Sequence, residues 1–137
     1  MKQQPDRRRG TTKAESKAPY THDGVQNWVE KTLVRAGALK AREIRYERGR
    51  DGLTVEFRRG NRVLETAEPE KRYQDAVIPR LEKMGQQGLP RRCRGETGRF
   101  LTVLDNREWN TPIFRTRTRT GERMVVRFTS SKPCKGG

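Results

Sequence analysis

A period-two alternation of apolar and polar residues constrains this chain more than any other feature. Ile44 and Tyr46 alternate with Arg45 and Glu47. After the turn residues Gly49-Arg50-Asp51-Gly52, Leu53, Val55 and Phe57 alternate with Thr54, Glu56 and Arg58. Successive strand side chains point to opposite faces, so the pattern predicts a hairpin with one buried and one wet face. The alternation returns near the C-terminus, where Met124, Val126 and Phe128 are interleaved with Arg123, Val125 and Arg127. Such a half-wet sheet needs other elements over its apolar face.

Two amphipathic helices supply them. Val25, Trp28, Val29, Thr32, Leu33 and Ala36 fall at helical spacing. Asp23 and Gln26 have the form of a capping box before them, and Gly37 is the expected stop. Trp28, on this stripe, is expected in the core. Tyr73, Ala76, Val77, Leu81 and Met84 mark a second helix, with Pro69 as its expected first residue; Pro79 should kink it or make it start late. Gly85, Gly88 and Pro90 are expected to end it. Gly60-Asn61 turns into a short strand at Val63-Leu64. Three more strands are expected at 99–104, 108–118 and 123–129, joined at Asp105-Asn106 and Thr120-Gly121. The order predicts an α+β domain: a mainly antiparallel sheet of five to six strands with both helices on one face. The expected boundaries are a disordered basic tail over 1–20, one domain over 21–129 and a flexible tail over 130–137.

Composition narrows the function. The 137 residues carry 32 Lys and Arg against 17 Asp and Glu, a net charge of +15. The excess is concentrated: residues 91–99 hold four bases and one acid, 115–127 five and one, and the first twenty residues six and two. This is the footprint of a surface that meets a polyanion, although an arginine-rich, merely soluble surface has the same balance. No run approaches the roughly 18 apolar residues of a membrane helix, and the N-terminus lacks the apolar core of a secretory signal. A cytoplasmic protein is the expectation. Cys93 and Cys134 are expected as free thiols, and with His22 the only histidine a four-ligand zinc site is not expected.

The chain lacks a phosphate-cradling Gly-x4-Gly-Lys-Ser/Thr motif, and its acids are interleaved with arginines as surface partners. Neither an enzyme nor a bound cofactor or metal is expected. The most pointed feature is Arg115-Thr116-Arg117-Thr118-Arg119-Thr120. On one strand its three arginines would share a face about 6.6 Å apart, near the spacing of phosphates along a nucleic-acid strand. Arg7, Arg8 and Arg9 in the tail are candidates for the same contact. The alternative is an exposed strand face whose arginine stems cover the sheet.

Five stretches in one order resemble the domain that precedes the motor in type II secretion and type IV pilus assembly ATPases. They are Ala41-Arg42-Glu43-Ile44-Arg45-Tyr46-Glu47, Asp51-Gly52-Leu53-Thr54-Val55-Glu56-Phe57-Arg58 and Ile78-Pro79-Arg80-Leu81-Glu82-Lys83-Met84, then Arg92-Cys93-Arg94-Gly95-Glu96-Thr97-Gly98-Arg99-Phe100 and Gly121-Glu122-Arg123-Met124-Val125-Val126-Arg127. The resemblance implies a PAS-like domain that, in complete members, is linked to a RecA-like motor in a hexameric ring. It implies that arginines at Arg92, Arg94 and Arg99, with Arg115 and Arg127, face nucleotide phosphates. Three departures qualify it. The family's "Pro-Gln-Asp" is Gly95-Glu96-Thr97 here, its "Asp-Ile-His" has lost both Asp and His, and no motor sequence follows. A stand-alone, diverged copy without ATPase activity is the expectation.

Three functions remain open on these residues. One is a non-catalytic accessory module that docks on a secretion or pilus motor or assembly protein, in an oligomer or alone. Another is a nucleic-acid-binding domain working through backbone phosphates. The third is a degenerate fragment with no function of its own.

Overall fold

The computed structural model describes residues 22–129. Both expected tails, with Arg7, Arg8, Arg9 and Cys134, lie outside the described residues. The elements are α1 (His22–Leu39), β1 (Glu43–Gly49), β2 (Gly52–Arg59), β3 (Arg62–Ala67), a 3-10 turn (Lys71–Tyr73), α2 (Val77–Gln87), β4 (Gly98–Leu104), β5 (Arg107–Arg117) and β6 (Glu122–Arg127). They form the expected α+β arrangement: six antiparallel strands in the order β3-β2-β1-β6-β5-β4, with two helices packed on the sheet. The first and last strands pair at the centre, from Glu43 opposite Arg127 to Arg48 opposite Glu122. That pairing joins two three-stranded meanders into one sheet.

The alternation explains the core. Ile44, Tyr46, Leu53, Val55, Phe57, Met124, Val126 and Phe128 are all buried, facing Val25, Val29, Leu33 and Ala36 of α1 and Val77, Ile78 and Leu81 of α2. Each such side chain contributes about 1.5–3 kcal/mol when fully removed from water. Trp28 is partly buried against this core. One polar pair crosses it: the Thr32 hydroxyl donates to the Val29 carbonyl at 2.6 Å and lies 2.6 Å from the Tyr46 hydroxyl. With the Thr32 proton engaged, the Tyr46 phenol donates the second bond. Burial pushes the Tyr46 pKa well up, so the phenol keeps that proton.

Several boundaries depart from the sequence expectation. α1 runs through Gly37 and ends at Leu39, because Lys40 adopts a left-handed backbone (φ 61) and its N–H closes on the Gly37 carbonyl at 3.1 Å. Gly37 instead admits Leu104, whose atoms would lie 3.3 Å from an added Cβ. Gln26 donates to Glu30 at 3.0 Å, the next turn of the helix. Pro69 is outside any helix, and α2 starts late, with Pro79 as its third residue. At that position the missing N–H breaks no helical bond. The third strand is longer than expected because its pairing with β2 reaches Ala67 opposite Val55, past a register shift between Phe57 and Arg58.

Candidate anion-facing site

The segment between α2 and β4 is held by backbone before any side chain acts. Gly85 of α2 and Gly98 of β4 touch: a Cβ on Gly98 would lie 2.6 Å from the Gly85 carbonyl carbon. A Cβ on Gly88 would fall 2.5 Å from the Arg99 oxygen, the atom that accepts the Leu89 N–H at 2.7 Å. At the other end Thr97 runs alongside β5. Its N–H donates to the Ile113 carbonyl at 2.8 Å, and its hydroxyl accepts the Arg115 N–H at 2.8 Å.

Between these anchors Glu96 organises the loop. Its carboxylate accepts Arg99 Nη2 at 2.5 Å, Arg99 Nε at 3.2 Å and the Arg92 backbone N–H at 3.3 Å. Its own carbonyl accepts Arg91 Nη1 at 3.2 Å. Burial alone would raise the Glu96 pKa. The bond and charge of Arg99, with the backbone donors of Arg92 and Cys93, outweigh burial and hold the carboxyl below its ordinary range. A sequence reading had no means to single out Glu96: its burial depends on α2, β4 and β5 closing around it.

The same geometry sorts the arginines expected to meet phosphate. Arg92 and Arg94 are exposed and pair with no described acid. Arg99 is only 4% exposed and is engaged by Glu96, so it is turned away from any ligand in solution. Arg115 donates to Glu122 from Nη2 at 2.5 Å and from Nε at 2.8 Å, and also pairs with Glu82 of α2. These carboxylates raise its pKa and cancel its charge; the bond to Glu122 is the largest cause. Arg127 lies near the far end of β6 on the other side of the sheet, 3.5 Å from Glu43 and stacked 5.1 Å from the Phe114 ring centre.

The expected arginine row is likewise interrupted. β5 ends at Arg117, and the Thr118 N–H closes on the Gly121 carbonyl at 3.0 Å, so Arg119 sits in a turn rather than on the strand. Arg117 and Arg119 are nevertheless exposed and, by the β4–β5 register, at the same end of the sheet as loop 91–97. Arg92, Arg94, Arg117 and Arg119 therefore form a basic rim at one end of the domain.

Cys93, within the loop, is disulfide-bonded, which corrects the expectation of a free thiol there. Among the described residues no helix is long and apolar enough to cross a membrane, and no group of three or more His, Cys, Asp or Glu could hold a metal ion. Comparison with models of known protein families and with curated proteins finds no match.

A second basic cluster was not foreseen at all. Lys40, Arg42, Arg59 and Arg107 line a cleft at the opposite end of the sheet. They come from three separated stretches, each innocuous beside a turn, and only the antiparallel register gathers them.

Proposed function

We propose that this chain is a non-catalytic accessory module related to the pre-motor domain of type II secretion and type IV pilus assembly ATPases. It docks on a motor or assembly partner through loop 91–97, presenting Arg92 and Arg94. The observation that carries the reading is the buried Glu96–Arg99 pair, which fixes the loop while leaving those two arginines exposed and without a described acidic partner. A loop ordered in advance binds without the entropic cost of being ordered by its partner. Supporting it, the five resembling stretches fall on β1, β2, α2, the α2–β4 loop with β4, and β6. What supports the non-catalytic reading is that Glu43, Glu47, Glu56, Glu65, Glu82 and Glu122 are each paired with an arginine.

One observation favours a second reading. The rim of Arg92, Arg94, Arg117 and Arg119 has no described acidic partner and suits the phosphates of a nucleic-acid backbone. The experiment that separates the two is co-elution of the full chain with the RecA-like secretion or pilus motor of its own host. The docking reading expects a complex that is lost in Arg92→Ser/Arg94→Ser. A motor that never co-elutes, beside salt-steep binding to a single-stranded oligonucleotide, sinks docking in favour of nucleic acid.

A further inference from the structure

At least nine of the twenty arginines among the described residues are answered by an acid. Arg35 meets Glu65 at 2.5 Å, Arg48 meets Asp75 at 2.5 Å, Arg58 meets Glu56 at 2.8 Å and Arg123 meets Glu47 at 2.9 Å. One cleft of about 500 Å³ gathers several arginines that are not so answered. Arg42, Arg59 and Arg107 line it, and none of the three has a described acidic partner. Lys40 joins them, 3.7 Å from Asp105, the cleft's one acid. Four cations against one anion leave about three positive charges on this cleft.

Its position is set by topology. Arg42 precedes β1, Arg59 ends β2 and Arg107 opens β5, and the pairings bring these points to one end of the sheet. The Asp105-Asn106 turn that delivers Arg107 has both residues in left-handed conformation, φ 53 and 60. Loop 91–97 joins β4 at its other end, roughly 20 Å away for a seven-residue strand. The two basic surfaces are thus distinct.

The cleft is not simply a charged surface. Leu104 and Phe128 give it apolar walls, and the Arg107 guanidinium lies 4.9 Å from the Trp109 ring centre. That stacking orients the guanidinium, and the buried Trp109 indole N–H beside it has no hydrogen-bond partner. The C-terminus of α1 also borders the cleft and opposes an anion. Its dipole amounts to about half a negative charge, and the Lys40 and Ala41 N–H groups already cap its carbonyls at 3.1 and 2.9 Å. Three net positive charges outweigh it.

We propose that this cleft binds a nucleoside di- or triphosphate, with the phosphate chain against Arg42, Arg59 and Arg107 and the nucleoside against the Leu104–Trp109 side. Arginine forks match phosphate oxygens two at a time, which a lysine cluster would not do. The volume lies within the ~300–1,000 Å³ of small-molecule sites, and mixed apolar and convergent polar walls are what such sites share. The cleft binds independently of docking through loop 91–97.

The test uses the full chain carrying Trp28→Phe, so that Trp109 alone reports by fluorescence, and titrates ATP, tripolyphosphate, adenosine and a single-stranded oligonucleotide. ATP is expected to change the Trp109 signal saturably, tripolyphosphate to compete with it and adenosine to bind far more weakly. Arg42→Ser/Arg59→Ser is expected to lose at least tenfold in ATP affinity, and Arg42→Lys/Arg59→Lys to recover only part. Both side chains are exposed and have no described acidic partner, so the fold should survive, checked by an unchanged far-UV spectrum. Arg92→Ser/Arg94→Ser should leave ATP affinity unchanged. The proposal is overturned by the absence of ATP binding at millimolar concentration, by binding indifferent to Arg42 and Arg59, or by an oligonucleotide that outcompetes ATP at this cleft.

Discussion

Glu96 and Arg99, three residues apart, close an ion pair of 2.5 Å with side chains only 1% and 4% exposed. A charge pair taken this far out of water gains little over an apolar pair, but removing one partner strands the other. Glu96→Gln is therefore expected to cost about 3–5 kcal/mol, read as a lowered denaturant midpoint. Replacing both, Glu96→Leu with Arg99→Met, should recover part of that loss and not all of it. The Arg92 N–H would still lack its acceptor, a cost of about 1–3 kcal/mol.

The same pair sets the acid response. The folded-state pKa of Glu96 lies below its ordinary value, so the ionised carboxylate is the form that favours folding. Its contribution is fully present above the unfolded value of about 4.3 and is lost as pH falls through the lower folded value. Urea midpoints of the parent chain and Glu96→Gln should differ most near neutral pH and converge once the pH has fallen below the lowered folded-state pKa, where both carry a neutral side chain at this position. A gap that persists unchanged at that pH would assign the effect to shape rather than charge.

Gly98 carries the approach of α2 to β4. With an added Cβ only 2.6 Å from the Gly85 carbonyl carbon, the obstacle is backbone and cannot swing aside. Gly98→Ala is expected to destabilise by about 1–3 kcal/mol, a fall of several degrees in Tm. It should also raise hydrogen exchange in loop 91–97, which hangs from this contact.

Much of this fold was legible because period two and period 3.6 are local. Ile44, Tyr46, Leu53, Val55 and Phe57 announced which face is buried, and Pro79 allowed a late start for α2, which is what occurs. What was not legible depends on partners distant in sequence. The charge of Arg115 is cancelled by Glu82, 33 residues away, so an arginine that counts toward a basic row contributes nothing to it. Glu96 looked like a loop acid until three elements closed over it. The cleft of Lys40, Arg42, Arg59 and Arg107 exists only once the strand register is known.

That distinction can be tested on polyanion binding. Arg117 and Arg119 are exposed and have no described acidic partner, while Arg115 is held between two carboxylates. In oligonucleotide titrations Arg115→Ser should change affinity less than twofold. Arg117→Ser/Arg119→Ser should weaken it and lower the salt dependence by up to about 0.7 per lost phosphate contact for a single strand. Equal effects from both variants would restore the continuous arginine row.

Lys40 makes the last case, because two of its properties oppose each other. Its left-handed backbone, φ 61, costs a non-glycine residue about 1–2 kcal/mol, at the position after a helix where glycine is favoured. Its exposed ion pair with Asp105, 3.7 Å long, returns about 0–1 kcal/mol. The strain is the larger quantity, so Lys40→Gly is expected to stabilise the domain by about 1 kcal/mol. Lys40→Ala keeps the strain and loses the pair, so it should fall slightly below the parent in thermal unfolding. A glycine variant no more stable than the alanine variant would place the origin of the α1 terminus elsewhere, in the Ala41 N–H that caps Ala36 at 2.9 Å.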